Sequence, residues 1–178
     1  MYKRQVFLHA GVIGWKGRAI VIPASSFAGK TTLVAELVKK GALYYSDEYA
    51  VLDEDGFVHP FPKMLSLRGS EGKFRQVDYT IESMGGKAGY EPIPVGLILL
   101  TWFDENEKSS ENWEPEILSG GQGILEIISH TIPIRYNPKF ALNVLNKVAN
   151  RAIIAKSKRG EARMFADLLL NFFENKVI

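Results

Sequence analysis

The chain has no cysteine, which excludes disulfides and thiolate metal centres and is consistent with a cytoplasmic setting. Its three histidines, His9, His59 and His130, are too scattered for a sequence-local zinc motif and are otherwise few. An excess of charge of one sign is also missing. The 22 Lys and Arg against 20 Asp and Glu leave a net charge of +2, too little to argue for nucleic-acid binding. No apolar run reaches the length of a membrane span, and the longest, Val95 to Phe103, is interrupted by Gly96 and Thr101 and suits a buried strand. Met1 to Gln5 lacks the basic-then-apolar start of a secretion signal. Neither nucleic acid nor membrane is therefore expected as a partner.

What is present fits a globular chain. The 178 residues, 46% hydrophobic and 24% charged, suffice for one domain over residues 1–178 with a real core, without repeats or low-complexity tracts.

The most informative stretch is Ile20 to Thr32. An apolar strand, Arg18 to Ile22, runs into the small-residue turn Pro23-Ala24-Ser25-Ser26-Phe27-Ala28-Gly29, and Lys30-Thr31-Thr32 opens an amphipathic helix. This is the layout of a phosphate-binding P-loop, with Ala24 in place of the first glycine of G-x-x-x-x-G-K-[ST]. Small side chains let backbone N–H groups close in on a polyphosphate at a positive helix end. Lys30 can reach the β- and γ-phosphates, the Thr31 hydroxyl can ligate Mg²⁺, and bulky Phe27 should point away. Residues 24–32 are thus the nucleotide-binding candidates, and an ordinary strand-loop-helix containing Gly-Lys-Thr is the bland alternative.

Upstream, Val6 to Ile13 and Arg18 to Ile22 read as a hairpin about Gly14 to Gly17. Downstream, the helix runs from Thr31 to Lys40 and stops at Gly41. Leu43 to Tyr45 and Tyr49 to Leu52 frame Ser46-Asp47-Glu48, and Asp53 to Gly56 turns into Phe57 to His59. Leu65 to Leu67 is a short strand, and Gly69 to Glu91 shows no period and reads as one long loop, either a lid or an insert. Ile93 to Phe103 is a core strand and Glu116 to Leu118 a short one, followed by a turn at Gly120 to Gly123. Helices are expected over Ile124 to Ser129, from Pro138 with Asn137 as cap to about Ala155, and over Glu161 to Phe173, extending to about 175. The last carries a stripe of Met164, Phe165, Leu168, Leu169 and Phe172. Lys156, Lys158, Arg159 and Arg163 read as a solvated junction between helices. His59, His130 and the tryptophans read as structural.

In order along residues 6–150, the chain resembles the catalytic domain of HPr kinase/phosphorylase and, more loosely, ATP-dependent phosphoenolpyruvate carboxykinase. The resemblance rests on Leu8-His9-Ala10-Gly11, Gly29-Lys30-Thr31, Tyr44-Tyr45-Ser46-Asp47-Glu48, Leu65-Ser66-Leu67-Arg68-Gly69 and Ile132-Pro133-Ile134-Arg135. It implies an α/β fold with a P-loop core, a mixed β-sheet, an N-terminal hairpin and C-terminal helices. It also implies ATP and Mg²⁺ as cofactors, a protein or peptide serine as acceptor, and a homo-oligomer.

Carried over by motif, Asp47 would be the general base, and Glu48, with Thr31 and Asp47, would hold Mg²⁺ directly or through water. The bland reading of Asp47-Glu48 is a polar hairpin start. His9 would stabilise charge or join a proton relay, unless it is a hydrogen-bonded strand histidine. Arg68 would contact phosphate, unless it forms a surface ion pair, and Arg135 is a weaker candidate.

Three departures stand out. Glu48 replaces a second aspartate, Ser66 replaces a metal-associated glutamate, and the family's N-terminal domain has no counterpart in this sequence. Two rival functions follow: a nucleotide-binding regulator without turnover, and a small-molecule kinase.

Overall fold

The computed structural model describes residues 5–23, 29–68, 76–107 and 113–178. Apolar residues alternate along β1 (Val6–Trp15), so Val6, Leu8, Ala10 and Val12 join one buried cluster while Ile13 joins another on the opposite face. A two-residue turn returns the chain as antiparallel β2 (Arg18–Pro23), whose Ala19 and Val21 split from Ile20 and Ile22 in the same way. Then come α1 (Lys30–Lys39), β3 (Leu43–Ser46), β4 (Tyr49–Leu52) and β5 (Phe57–His59). The hairpin β6 (Leu65–Arg68) and β7 (Gln76–Tyr79) stands apart from the main sheet.

Next are β8 (Lys87–Ala88), the long β9 (Ile93–Phe103) and β10 (Glu116–Leu118). The chain ends with α2 (Gly120–Ile128), α3 (Pro138–Ala149), β11 (Ile153–Arg159) and α4 (Ala162–Lys176). The main sheet is mixed: β9 runs parallel to β2 and β11, whereas β1 is antiparallel to β2, β3 and β4. Ladders β1 to β4, β4 to β5, β5 to β9, β9 to β2 and β2 to β1 close a ring of strands.

Helices cover both faces. Leu33, Val34, Leu37 and Val38 of α1 and Phe165, Leu169 and Phe173 of α4 pack on one side, and Ile124, Ile127, Val144, Leu145 and Val148 of α2 and α3 on the other. The result is mixed α/β with helices at the C-terminal end. No helix among the described residues is long and apolar enough to cross a membrane.

Several expectations are corrected. The supposed loop over Gly69 to Glu91 contains β7, a 3-10 turn at Glu82–Met84 and β8. Gly120 to Gly123 is no turn but the first turn of α2, because Ser119 and Gln122 form a reciprocal capping box. The helix from Pro138 stops at Ala149, and Ile153 to Arg159 is a strand parallel to β9. The basic cluster therefore lies partly on that strand, and Arg159 is only 3% exposed, not a solvated junction. In α4 the buried stripe is Phe165, Leu169 and Phe173, with Met164 exposed, one position round from the expected face.

Candidate functional site

The head of α1 meets the middle of β1. Gly29, the N-cap residue, has φ of +74°, and its lack of a side chain leaves the first-turn N–H groups without side-chain capping from that position. Lys30 turns back over β1, and a Cβ on Gly11 would come within 3.0 Å of Lys30 Cγ and 2.6 Å of Val34 Cγ2. Gly11 is therefore what lets the lysine stem lie across the strand. The stem ends with Lys30 Nζ 3.1 Å from Nε2 of His9. Thr31 lies beside it, whereas Thr32 is exposed on the outer face of α1.

The acidic side of the site comes from a break in pairing. Residues 43–52 run antiparallel to β1 but leave it at Asp47 and Glu48. Buried Ser46 makes the break tenable, because its Oγ accepts from the N–H groups of Glu48 (3.1 Å) and Tyr49 (3.0 Å), which have lost ladder partners there. Asp47 points toward α1, with Oδ2 3.5 Å from Thr31 Oγ1. Its other oxygen accepts from the Tyr44 hydroxyl at 3.2 Å, a proton shared with the Lys63 carbonyl at 3.0 Å. Glu48 points elsewhere: its carboxylate pairs with Lys63, and its carbonyl accepts from Ala10 N–H.

The electrostatics are unbalanced. Burial lowers the Lys30 pKa, with Asp47 and Glu48 opposing. Burial and then Lys30 lower His9 and His130. Asp47 is raised by burial, against the pull of the Tyr44 hydrogen bond and Lys30. The Lys30 ammonium thus disfavours a proton on either imidazole.

The hard oxygens of Thr31 and Asp47 suit Mg²⁺. Adjacent octahedral ligands of Mg²⁺ stand about 3 Å apart, near the observed separation. Among the described residues no three His, Asp or Glu side chains converge on one metal position, so further ligands would come from water or phosphate.

Of the expected residues, the structure brings together His9, Gly29, Lys30, Thr31 and Asp47, with Glu48 alongside but engaged by Lys63. Ala24, Ser25, Ser26, Phe27 and Ala28 lie outside the described residues, as does the Arg68 side chain. Arg135 is exposed at the end of a 3-10 turn, Ile132–Arg135. His59 lies on β5 with its Nε2 2.9 Å from Oδ2 of Asp53.

Sequence reasoning missed Tyr44, Ser46, Lys63, His130 and Arg159. His130 follows α2, its carbonyl accepts from the His9 backbone N–H at 2.8 Å, and burial, helped by Lys30, holds its pKa down. Only Ser46 had a signal, as a small hydroxyl residue ahead of a strand break. A cleft of about 480 Å³ lined by Trp113, Ile153, Leu168 and Phe172 shares no lining residue with this site.

No known family model matches the chain, and no curated protein matches it.

Proposed function

We propose that this chain is a P-loop phosphotransferase of the HPr kinase and carboxykinase type, which binds ATP with Mg²⁺ at the β2–α1 junction and phosphorylates a serine of a protein or peptide. The observation that carries this reading is the convergence of Lys30 and Thr31 from α1, Asp47 from the β3–β4 break and His9 from β1. Each is chemically apt. Lys30 neutralises phosphate charge, and Thr31 and Asp47 offer hard oxygens to Mg²⁺, which when bound would neutralise charge on the β- and γ-phosphates. Lack of cysteine supports a cytoplasmic setting.

In the transfer, the acceptor serine Oγ forms a bond to the γ-phosphorus as the bond from that phosphorus to the β,γ-bridging oxygen breaks, releasing ADP. The serine proton passes to Asp47. Burial supports that role, since a carboxylate with a raised pKa is a better base than a solvated one. His9, neutral beside Lys30, is placed to help hold the transferred group.

One observation favours a binding-only regulator: Ser66 stands where the resembled family has glutamate, and its hydroxyl is engaged by Asp78 of β7. The deciding assay follows γ-phosphoryl transfer from ATP to serine peptides in the wild type, Lys30→Ala and Asp47→Ala. Turnover lost in both variants supports the kinase. Binding lost in Lys30→Ala, with no turnover in the wild type, supports the regulator. Turnover only with small hydroxyl compounds would replace the peptide acceptor with a metabolite.

A further inference from the structure

The end of β11 reaches the beginning of α1. Arg159, the last residue of that strand, is 3% exposed, and its Nη2 donates to the Gly29 carbonyl at 3.0 Å. Its Nη1 donates to the Gly160 carbonyl at 3.0 Å, and the guanidinium lies 5.7 Å from the centroid of the Phe103 ring on β9. Taking a guanidinium out of water costs several kcal/mol, and the two carbonyls, the Phe103 ring and the attraction of Glu161 are among the contacts that hold this one against the head of α1.

The contact with Gly29 bears on one peptide plane. The carbonyl of Gly29 and the N–H of Lys30 belong to the same trans peptide and point in opposite directions. Gly29 O accepts both from Arg159 and from Leu33 N–H at 3.1 Å, so its direction is fixed along α1. The Lys30 N–H is thereby fixed outward from the helix start, where it has no intrahelical partner. Space at Gly29 is part of the arrangement, since a Cβ there would lie 2.4 Å from Arg159 Nη2.

We propose that Arg159 is a positioning residue that clamps the Gly29–Lys30 peptide so that its N–H faces a bound polyphosphate, while adding positive charge at that helix end. This rests on the nucleotide-binding reading above and goes beyond it, because it assigns part of phosphate recognition to β11. A guanidinium does this better than an ammonium, since its planar fork reaches two carbonyls at once.

The test measures Mg·ATP and tripolyphosphate affinity of the wild type, Arg159→Met, Arg159→Lys and Lys30→Ala, each checked for folding by circular dichroism and thermal melting. Arg159→Met is expected to weaken both ligands about tenfold or more, the loss of a charge-assisted contact. Arg159→Lys should recover only part of the loss. Millimolar guanidinium ion should partly restore binding in Arg159→Met, a response that a merely structural role would not give. If Arg159→Met fails to fold, the tripolyphosphate affinity of Arg159→Lys decides, and a value within twofold of the wild type overturns the proposal. So does a folded Arg159→Met with wild-type affinity while Lys30→Ala loses binding, an outcome that leaves the nucleotide reading standing. A wild type that binds neither ligand removes that reading, and this proposal with it.

Discussion

Nζ of Lys30 lies 3.1 Å from Nε2 of His9, and because an ammonium can only donate, the imidazole accepts there and is neutral with its proton on Nδ1. Burial and the neighbouring Lys30 hold the His9 pKa below its ordinary 6.5, and the same two causes lower His130. Below that value the unfolded chain binds protons that the folded chain does not. The stabilisation is therefore complete above pH 6.5 and is lost as pH falls through it toward the folded values. Urea midpoints measured from pH 8 to pH 5 should fall in the wild type and fall less in His9→Gln/His130→Gln. An equal fall in both would contradict the assignment.

Gly11 should prove intolerant because of its neighbours, not its backbone. In Gly11→Ala the added methyl meets Val34 Cγ2 at 2.6 Å and Lys30 Cγ at 3.0 Å. Overpacking of this kind costs about 1–3 kcal/mol, and the lysine stem must shift. Chemical denaturation should register the destabilisation, and calorimetry at a temperature where the variant is folded should show weakened Mg·ATP binding. Unchanged affinity would mean that Lys30 does not depend on this surface.

Asp47 should govern the acidic limb of the pH–rate profile. Burial raises its pKa, so activity should fall on the acid side at a higher pH than for an ordinary aspartate. Tyr44→Phe removes the hydrogen bond that lowers it and should move that limb further up. Asp47→Asn should lose about 10²–10⁴-fold in turnover, the usual worth of a general base, and should also weaken Mg·ATP binding, because an amide oxygen is a poorer Mg²⁺ ligand than a carboxylate. An acid limb unmoved by Tyr44→Phe would argue that another group titrates.

Much of the framework was legible because it follows local period and punctuation. The hairpin of β1 and β2, the helix from Lys30 to the Gly41 stop, and the two strands framing Asp47 all announce themselves by alternation or by a capping residue. β11 did not. Ile153-Ile154-Ala155 is an apolar run that continues the period of α3, and only its parallel pairing with β9, some fifty residues away in sequence, makes it a strand. With Ile153 to Ala155 read as the end of the helix from Pro138, Arg159 falls in the junction after it and looks like one more surface charge.

The site shows the same division. Lys30, Thr31 and Asp47 stood out because their neighbours in sequence carry a pattern. Tyr44 touches Asp47 from only three residues away and carried no pattern that marks it, whereas Lys63 and His130 reach the site through tertiary contacts, Lys63 by the reach of a flexible stem to Glu48 and His130 by its carbonyl on His9. No local spacing encodes those.

The central claim is that the head of α1 holds a nucleotide polyphosphate through Lys30. Calorimetric titration of Mg·ATP into the wild-type chain and Lys30→Ala tests it most directly. The account predicts one saturable site in the wild type and a loss of affinity of at least about tenfold, or 1.4 kcal/mol, in a variant that melts as the wild type does. Equal binding in the two proteins, or none in the wild type, would contradict it.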